Sequence, residues 1–596
     1  MYDLDKPVRQ GMVYLFGNKF TKAMSIFKSK ADSEPLYALG MGSMLFLKAM
    51  MTYNENDVEA AMKSLSDSFT IATTQAELSE EKPSFEDAFS SQFSSLMAST
   101  KADDDRCHIK TFMPNGILRA HVIKAESCLL MGLLQLTQEN MTGYLKCGLN
   151  LRKACSSYTL VWNEYQRMGE QVNDWMDCDT ISAVQFGVGT LHLLLSSLPT
   201  KIVKIFSGLT WKTDKSLGFS LLKSAMTGKG TRSTFASLVL LSYYSLLSSL
   251  VPSLYAQDSI QPTIECLVEA QKSHPKSCFF LYYAARISRV ARNVGLSTQS
   301  FTMATASTRR GAWAEVAMKH TVAYEVGLNH AMQLDWDTSA AYFEQLCCAR
   351  DWSPAFCQYF VGACHEMLGQ RQEAMDCFDE VPVLSHQQHH RKSLLDNFVQ
   401  VKVERYQCSD YRDLDSSLPG LELLLLLNAF ASMEETYLQR CLVMIQETCQ
   451  LIKMKHSMGI LQLDDLEDYN HDDNDDDRVT LMIRYTTLLL LKASVLNALS
   501  RCSECVVDLD WVLKRKHLLE TEEWLLPFVY WEVGVTQWGI GNQKKSREMW
   551  QLALSCTKYD FEFRMASRIH LALGKCDELG ILEPSGSTYL NGRKRL

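Results

Sequence analysis

Cys502 and Cys505 stand three residues apart, the spacing of half a structural zinc site or of a redox pair. A zinc centre needs a second pair or histidines at a matching distance, and only His517 follows, without a partner beside it. A redox pair needs a strand-to-helix setting, and none precedes these cysteines. They read as two thiols at a helix–helix turn. Cys347 and Cys348 are adjacent, so on a helix they point different ways. His386, His389 and His390 cluster after Pro382, and imidazoles three or four apart on a helix suit a metal. No carboxylate or thiol stands within five residues of the three to complete the shell, so the cluster reads as a polar loop between repeats.

Gly228-Lys229-Gly230-Thr231 has the flavour of a phosphate loop. The full pattern needs an earlier glycine, a lysine after the second one and a preceding strand. Here the segment reads as a turn between helices. Residues 464–477 hold nine acids in fourteen, but lack the central Gly and closing Glu of a calcium loop. That density of like charge predicts a solvated loop. No nucleophile elbow and no paired zinc histidines of the metalloprotease kind occur. Catalytic, metal and cofactor assignments are therefore all none, and the chain is read as not an enzyme.

These residues must be positioned by helices. In 596 residues there are only 29 Gly and 13 Pro, while 46% of residues are apolar. So few breakers and so much core material favour long helices over many-turned sheets. The net charge of −9 leaves no basic excess to displace counterions, which argues against nucleic acid as a partner. Nineteen cysteines scattered singly on apolar faces suit a reducing compartment. The N-terminal MYDLDKPVRQG lacks a secretory pattern, so a cytoplasmic location is expected. Two uncharged stretches, Ile181–Thr200 and Ser233–Gln257, are long enough to span a bilayer. The second carries seven serines in twenty-five residues and reads better as buried helix.

One spacing recurs along the chain. A small residue is followed by a large one three later, a small one nine further and an aromatic four beyond that. The copies are Gly11, Tyr14, Ala23, Phe27; Gly327, His330, Ser339, Phe343; Gly362, His365, Ala374, Phe378; and Gly534, Gln537, Ser546, Trp550. This is tetratricopeptide spacing. Two antiparallel helices cross closely at the small residues, and the large ones fill the space to the next unit. Gly17-Asn18, Gly369-Gln370 and Gly541-Asn542 fall where the helices must be joined. His330 and His365 occupy a packing position and read as packed side chains with one hydrogen-bonded nitrogen. The fold class is thus all-α, with helical-hairpin repeats forming an α-α superhelix. The expected divisions are helical pairs at 1–75, a flexible polar insert at 76–108 and a central helical region at 109–310. Repeats follow at 311–463, an acidic disordered loop at 464–478, further repeats at 479–580 and a disordered tail at 581–596.

The opening VRQGMVYLFGNKFTKAMSIF and YALGMGSMLFLKAMMTYNENDVEAAMKSL resemble the tetratricopeptide repeat protein 39 family, which includes fungal proteins linked to clearance of protein inclusions. AHVIKAESCLLMGLLQL, FGVGTLHLLLSSLPTKIVKIFSGLTW, HPKSCFFLYYAARISR and EFRMASRIHLAL are similar to later blocks of the same family. LPGLELLLLLNAF departs from it, with leucines where relatives carry Tyr and Trp. The resemblance implies a non-enzymatic protein, and a role in inclusion clearance, lipid homeostasis or assembly of a structure such as the cilium.

A helical-repeat superhelix presents the first helix of each pair on its inner face. The repeat frame places Tyr324, Leu328, Phe356, Tyr359, Phe528, Trp531 and Trp538 there. Aromatic and aliphatic side chains replace the Lys and Asn of a carboxylate clamp. The expectation is an apolar groove for a partner helix, or one filled by the chain's own helices around 181–250. The chain reads as a scaffold or adaptor for protein partners. The alternative is a helical protein that docks on a membrane or lipid droplet through its apolar helices.

Overall fold

The computed structural model describes residues 5–52, 54–80, 112–138, 140–206, 211–228, 230–309, 313–349, 353–387, 394–457, 475–519 and 522–582. Among them the regular structure is helical throughout, without a strand. Two compact units form. One comprises Met1–Leu241, Cys266–Phe280 and Ser307–Ala317; the other comprises Ser242–Glu265, Leu281–Ala306 and Met318–Leu596.

In the first unit, helices Pro35–Thr52, Glu55–Glu80, Asn115–Leu136 and Met141–Met168 pack each on the next. Side-chain caps set several starts. Asn140 accepts from the amide of Gly143 at 2.7 Å, Asp177 from Thr180 at 2.7 Å and Asp214 from Leu217 at 2.9 Å. Each relieves an amide that the first helical turn leaves unpaired, typically about 1 kcal/mol. A buried ion pair joins Arg232 to Glu126 at 3.0 Å, and Asp179 accepts both from Arg9 and from the amide of Thr231.

In the second unit, Trp336–Ala349, Pro354–Met367 and Arg371–Gln387 pack in succession. So do Asp475–Ala498, Leu525–Gly539, Gln543–Ser555 and Glu562–Glu578. A buried network centres on Glu325. It accepts from Tyr282 at 2.7 Å, Arg286 at 2.7 Å and Arg289 at 2.5 Å. Arg289 also donates to Asn329, which reaches Ser297 and Thr298.

The four repeats share one local geometry. At each first position the aromatic sixteen residues on lies where a side chain would be. A Cβ on Gly11 would meet Phe27 at 2.5 Å, on Gly362 Phe378 at 2.8 Å and on Gly327 Phe343 at 3.0 Å; on Gly534 it would collide with Trp550. Seven residues after the small position the chain turns through a left-handed backbone, at Asn18, Leu334, Gly369 and Gly541. The next amide then donates back to the carbonyl of the large position: Lys19 to Tyr14, Asp335 to His330, Gln370 to His365 and Asn542 to Gln537. This six-residue closure satisfies a carbonyl that the helix end would leave bare. The side chains repeat the link. His330 Nδ1 lies 2.9 Å from Asp335 Oδ2, and His365 Nδ1 lies 2.7 Å from Gln370 Oε1. His330 also stacks on Tyr342, with ring centroids 5.8 Å apart.

The same closure, with small residues at the first and third positions, marks two further copies among the described residues. Ala285, Ser288, Ser297 and Phe301 form one, turning at Arg292, with the Asn293 amide on the Ser288 carbonyl. Ala493, Leu496, Cys505 and Leu509 form the other, turning at Ser500, with the Arg501 amide on the Leu496 carbonyl.

The expected boundaries shift. Helix Glu55–Glu80 continues into the region read as a flexible insert, because its apolar face runs on through Ala72 and Ala76, both buried. The remainder of that insert, residues 81–108, lies outside the described residues. So do residues 464–474 of the acidic stretch, while Asp475–Asp477 open the helix Asp475–Ala498. Tail residues 583–596 also lie outside. Among the described residues three helices are long and apolar enough to cross a membrane: Cys178–Ser197, Ser233–Leu250 and Val479–Ala498 within its helix. Their apolar windows are 78%, 61% and 61% buried inside the chain.

Candidate functional site

The seven residues placed on the inner face, expected to line a partner groove or one filled by the chain itself, do not form a free surface. Leu328, Phe356, Tyr359, Phe528 and Trp531 are buried, and Tyr324 and Trp538 are half-buried. Tyr324 meets Phe343 edge-on, Phe356 meets Phe360 and Tyr359 leans on Phe378. Phe528 sits between Trp524 and Phe561. Trp531 stacks near Trp550, and the Arg568 guanidinium lies 4.4 Å from its ring centroid. Trp538 also touches Trp550. The inner positions are thus filled by neighbouring helices of the same unit. Sealing Trp531 costs Arg568 much of its hydration, and burial pushes that guanidinium down to about 10. Two hydrogen bonds offset this, to the Leu250 carbonyl and to Asn428 Oδ1.

The other candidate residues also resolve into structure. Cys502 and Cys505 are buried in the turn after Asp475–Ala498. Cys505 donates to the Ala493 carbonyl at 3.5 Å, and burial pushes its thiol up to about 12. Among the described residues no group of three His, Cys, Asp or Glu is placed to hold a metal. His386 donates to the Pro382 carbonyl of its own helix at 2.6 Å; His389 and His390 lie outside the described residues. Gly230-Thr231 turns between helices Lys215–Thr227 and Ser233–Leu250. The Thr231 amide is occupied by Asp179 at 2.7 Å, and Lys229 lies outside the described residues.

One cleft in the first unit gathers polar and aromatic side chains. Its volume is about 640 Å³, and it lies between helix Met141–Met168 and the segment leading into helix Lys215–Thr227. Arg152, Ser156, Thr159 and Trp162 line it from the helix; His192, Trp211, Lys212 and Asp214 line it from the other side. Ser156, His192 and Asp214 are the residue types of a nucleophile, a base and its orienting acid. The geometry does not assemble that relay. His192 Nδ1 accepts from the Asp214 backbone amide at 2.9 Å, and the Trp211 indole approaches the same nitrogen at 3.5 Å. The ring proton therefore sits on Nε2, and no lone pair is left to take a proton from serine. The Asp214 carboxylate caps its own helix through Leu217. Burial lowers the pKa of His192, which keeps the ring neutral. The nearby Cys155 thiol is raised to about 12 by burial, and Thr159 donates to the Cys155 carbonyl.

Arg152 and Lys212 are exposed at this cleft and make no ion pair among the described residues. Trp162 and Trp211 are half-buried, and Trp162 stacks on Tyr165 with centroids 5.3 Å apart. The arrangement is equipped to bind: two cations, two indoles and a fixed imidazole around a concave space. No sequence motif marks it, because its members come from three separate segments.

The family model described as Iml2/Tetratricopeptide repeat protein 39 matches residues 9–495. Two solved structures are similar over nearly the whole length. "Crystal structure of APC/C hetero-tetramer Cut9-Hcn1" is 12% identical, covers 96% of this chain and 97% of that one, and has a TM-score of 0.23. "Crystal structure of Ypp1" is 10% identical, covers 97% and 98%, and has a TM-score of 0.21. Neither superposes at a score that bears on function. The family match spans the first three repeats found by spacing, the added Ala285–Phe301 unit and the cleft, and the chain belongs to the Iml2/Tetratricopeptide repeat protein 39 family.

Proposed function

We propose that this chain is a non-enzymatic tetratricopeptide-repeat scaffold or adaptor that holds protein partners by surface complementarity. The observation that carries this reading is the hairpin geometry repeated along a chain of this family. Each copy buries its own aromatic and closes its own turn, which stiffens that hairpin and leaves its outer positions free to vary. Positioning partners needs no proton transfer and no nucleophile. The histidine lining the cleft is held in the tautomer that cannot act as a base. A cytosolic setting is supported by the cysteines, which form no disulfide among the described residues and are mostly buried. The family resemblance points to inclusion clearance, lipid homeostasis or cilium assembly as the process served.

Docking on a membrane or lipid droplet through the apolar helices is the competing reading. Burial of 78% of the Cys178–Ser197 window and 61% of the Ser233–Leu250 window favours the scaffold, since those faces already serve internal packing. Flotation of a cell extract on a density gradient separates the two. The scaffold reading expects the chain in the dense, detergent-free fraction. Release from the floating fraction only by detergent would favour membrane docking.

A further inference from the structure

We propose that the cleft and an apolar ridge beside it form one docking surface for a peptide segment of a partner protein, a segment that pairs acidic side chains with aliphatic or aromatic ones. This rests on the scaffold reading and gives it a surface.

The ridge lies on helix Met141–Met168. Met141, Leu145 and Leu149 are 55%, 52% and 58% exposed, unusual values for three large apolar residues on one helix. Their spacing of four places them on a single face. Arg152, Ser156 and Thr159 continue that face at intervals of three and four, directly into the cleft. From Met141 to Thr159 the stripe runs about 27 Å at 1.5 Å per residue. That is the footprint of several helical turns of a partner segment. One end is apolar. The other carries Arg152 and Lys212, beside the indoles of Trp162 and Trp211 and the imidazole of His192.

Charge defines the occupant. Among the described residues the cleft is lined by two cations, Arg152 and Lys212, against one carboxylate, Asp214, which caps its own helix through Leu217, so the balance of charge is positive. An acidic side chain would complete it, and Arg with indole is the pairing that recurs at binding hot spots. The concavity favours a peptide over a bilayer. The cations line a depression of about 640 Å³, which side chains can enter and a lipid surface cannot. The ridge then takes the partner's aliphatic face, as an amphipathic helix lies along a groove.

The test uses the full chain and a short fluorescein-labelled peptide. One half of the peptide carries leucines at helical spacing, and the other carries Glu and Trp. Its counterpart has Lys for every Glu. Fluorescence anisotropy is expected to show the acidic peptide binding wild type more tightly than the basic one. Arg152→Glu with Lys212→Glu should lose the acidic peptide by about tenfold or more and gain the basic one. Leu145→Asp with Leu149→Asp should weaken both. All four positions are exposed, so circular dichroism should show unchanged melting. Equal binding of the acidic peptide by wild type and the charge-reversed variant would overturn the proposal. So would wild type that binds neither peptide, or that co-sediments with phosphatidylserine vesicles in a way the charge reversal abolishes. Carbodiimide cross-links joining Lys212 to residues 464–477 of the same chain would also overturn it, by making that acidic stretch the occupant. A cellular partner that cross-links elsewhere, equally in both proteins, would overturn this surface and leave the scaffold reading standing.

Discussion

The thiol of Cys505 donates to the carbonyl of Ala493, 3.5 Å away and twelve residues upstream. Ser339 makes the same link to Gly327 at 2.9 Å. Both residues sit at the second small position of a repeat, where a short polar side chain fits between crossing helices. Cys505 is therefore a repeat residue, which accounts for its place at this turn. Cys505→Ser should be accepted, with a loss under about 1 kcal/mol, because serine is what another copy uses. Cys505→Leu should cost about 1–3 kcal/mol through overpacking of a fully buried site. Urea unfolding of the two variants checks this. A large loss with serine would point to a role for the sulfur itself.

Glycine at the first repeat position is required by an aromatic ring, and the helix itself would prefer alanine. Gly362→Ala would drive a methyl into Phe378 at 2.8 Å, and Gly534→Ala would drive one into Trp550. Each should lose about 1–3 kcal/mol despite the gain in helix propensity. Gly574 provides the contrast. It lies inside helix Glu562–Glu578 with nothing within 4 Å of an added Cβ. Gly574→Ala should stabilise by about 0.5–1 kcal/mol. Thermal melts of the three variants side by side measure the difference.

The repeat array was legible where the aromatic at the last position was present. Gly11–Phe27, Gly327–Phe343, Gly362–Phe378 and Gly534–Trp550 stand out for that reason. Ala493–Leu509 escaped because leucine replaces the aromatic, and Ala285–Phe301 because serine holds the large position at 288. Backbone turns at Ser500 and Arg292 expose both copies, and no residue type announces a left-handed arginine. What covers the inner face was illegible for a related reason. The repeat frame says which side of a hairpin a residue faces, and it is silent on whether a later helix covers that side. Arg568, from the last described helix, lies over Trp531, and its contacts to Leu250 and Asn428 are non-local. The cleft was out of reach because Arg152, His192 and Lys212 come together only through helix packing.

Acid should weaken the second unit through Glu325. Burial opposes its charge, but Arg289, Arg286 and a hydrogen bond from Tyr282 outweigh that and hold the carboxyl down at about 2, against its ordinary 4.5. A carboxyl with a depressed pKa contributes its stability above the unfolded value. That contribution is lost as pH falls from about 4.5 toward 2. Glu325→Gln at neutral pH should cost about 3–5 kcal/mol, because two buried guanidinium groups lose their partner. The variant should also show a flatter acid limb in a plot of melting temperature against pH. An unchanged limb would place the acid sensitivity elsewhere.

Trp531→Ala should behave as a core mutation. Its ring is buried beneath Arg568 and beside Trp550, so truncation should cost about 3–5 kcal/mol. Arg568→Met keeps the ring covered without a buried charge and should cost less than the truncation. Calorimetry on both variants separates cover from charge. Partner loss in Trp531→Ala without any loss of stability would restore the open-groove reading.

The central claim is that this chain acts by holding protein partners on its outer surface. Affinity purification with cross-linking mass spectrometry, from an extract prepared without detergent, tests it most directly. Wild type should be compared with Arg152→Glu/Lys212→Glu. The account predicts a partner cross-linked to Lys146, Lys153 or Lys212, and lost from the variant. Recovery of the chain alone in monomeric form, or only with membranes, would contradict it.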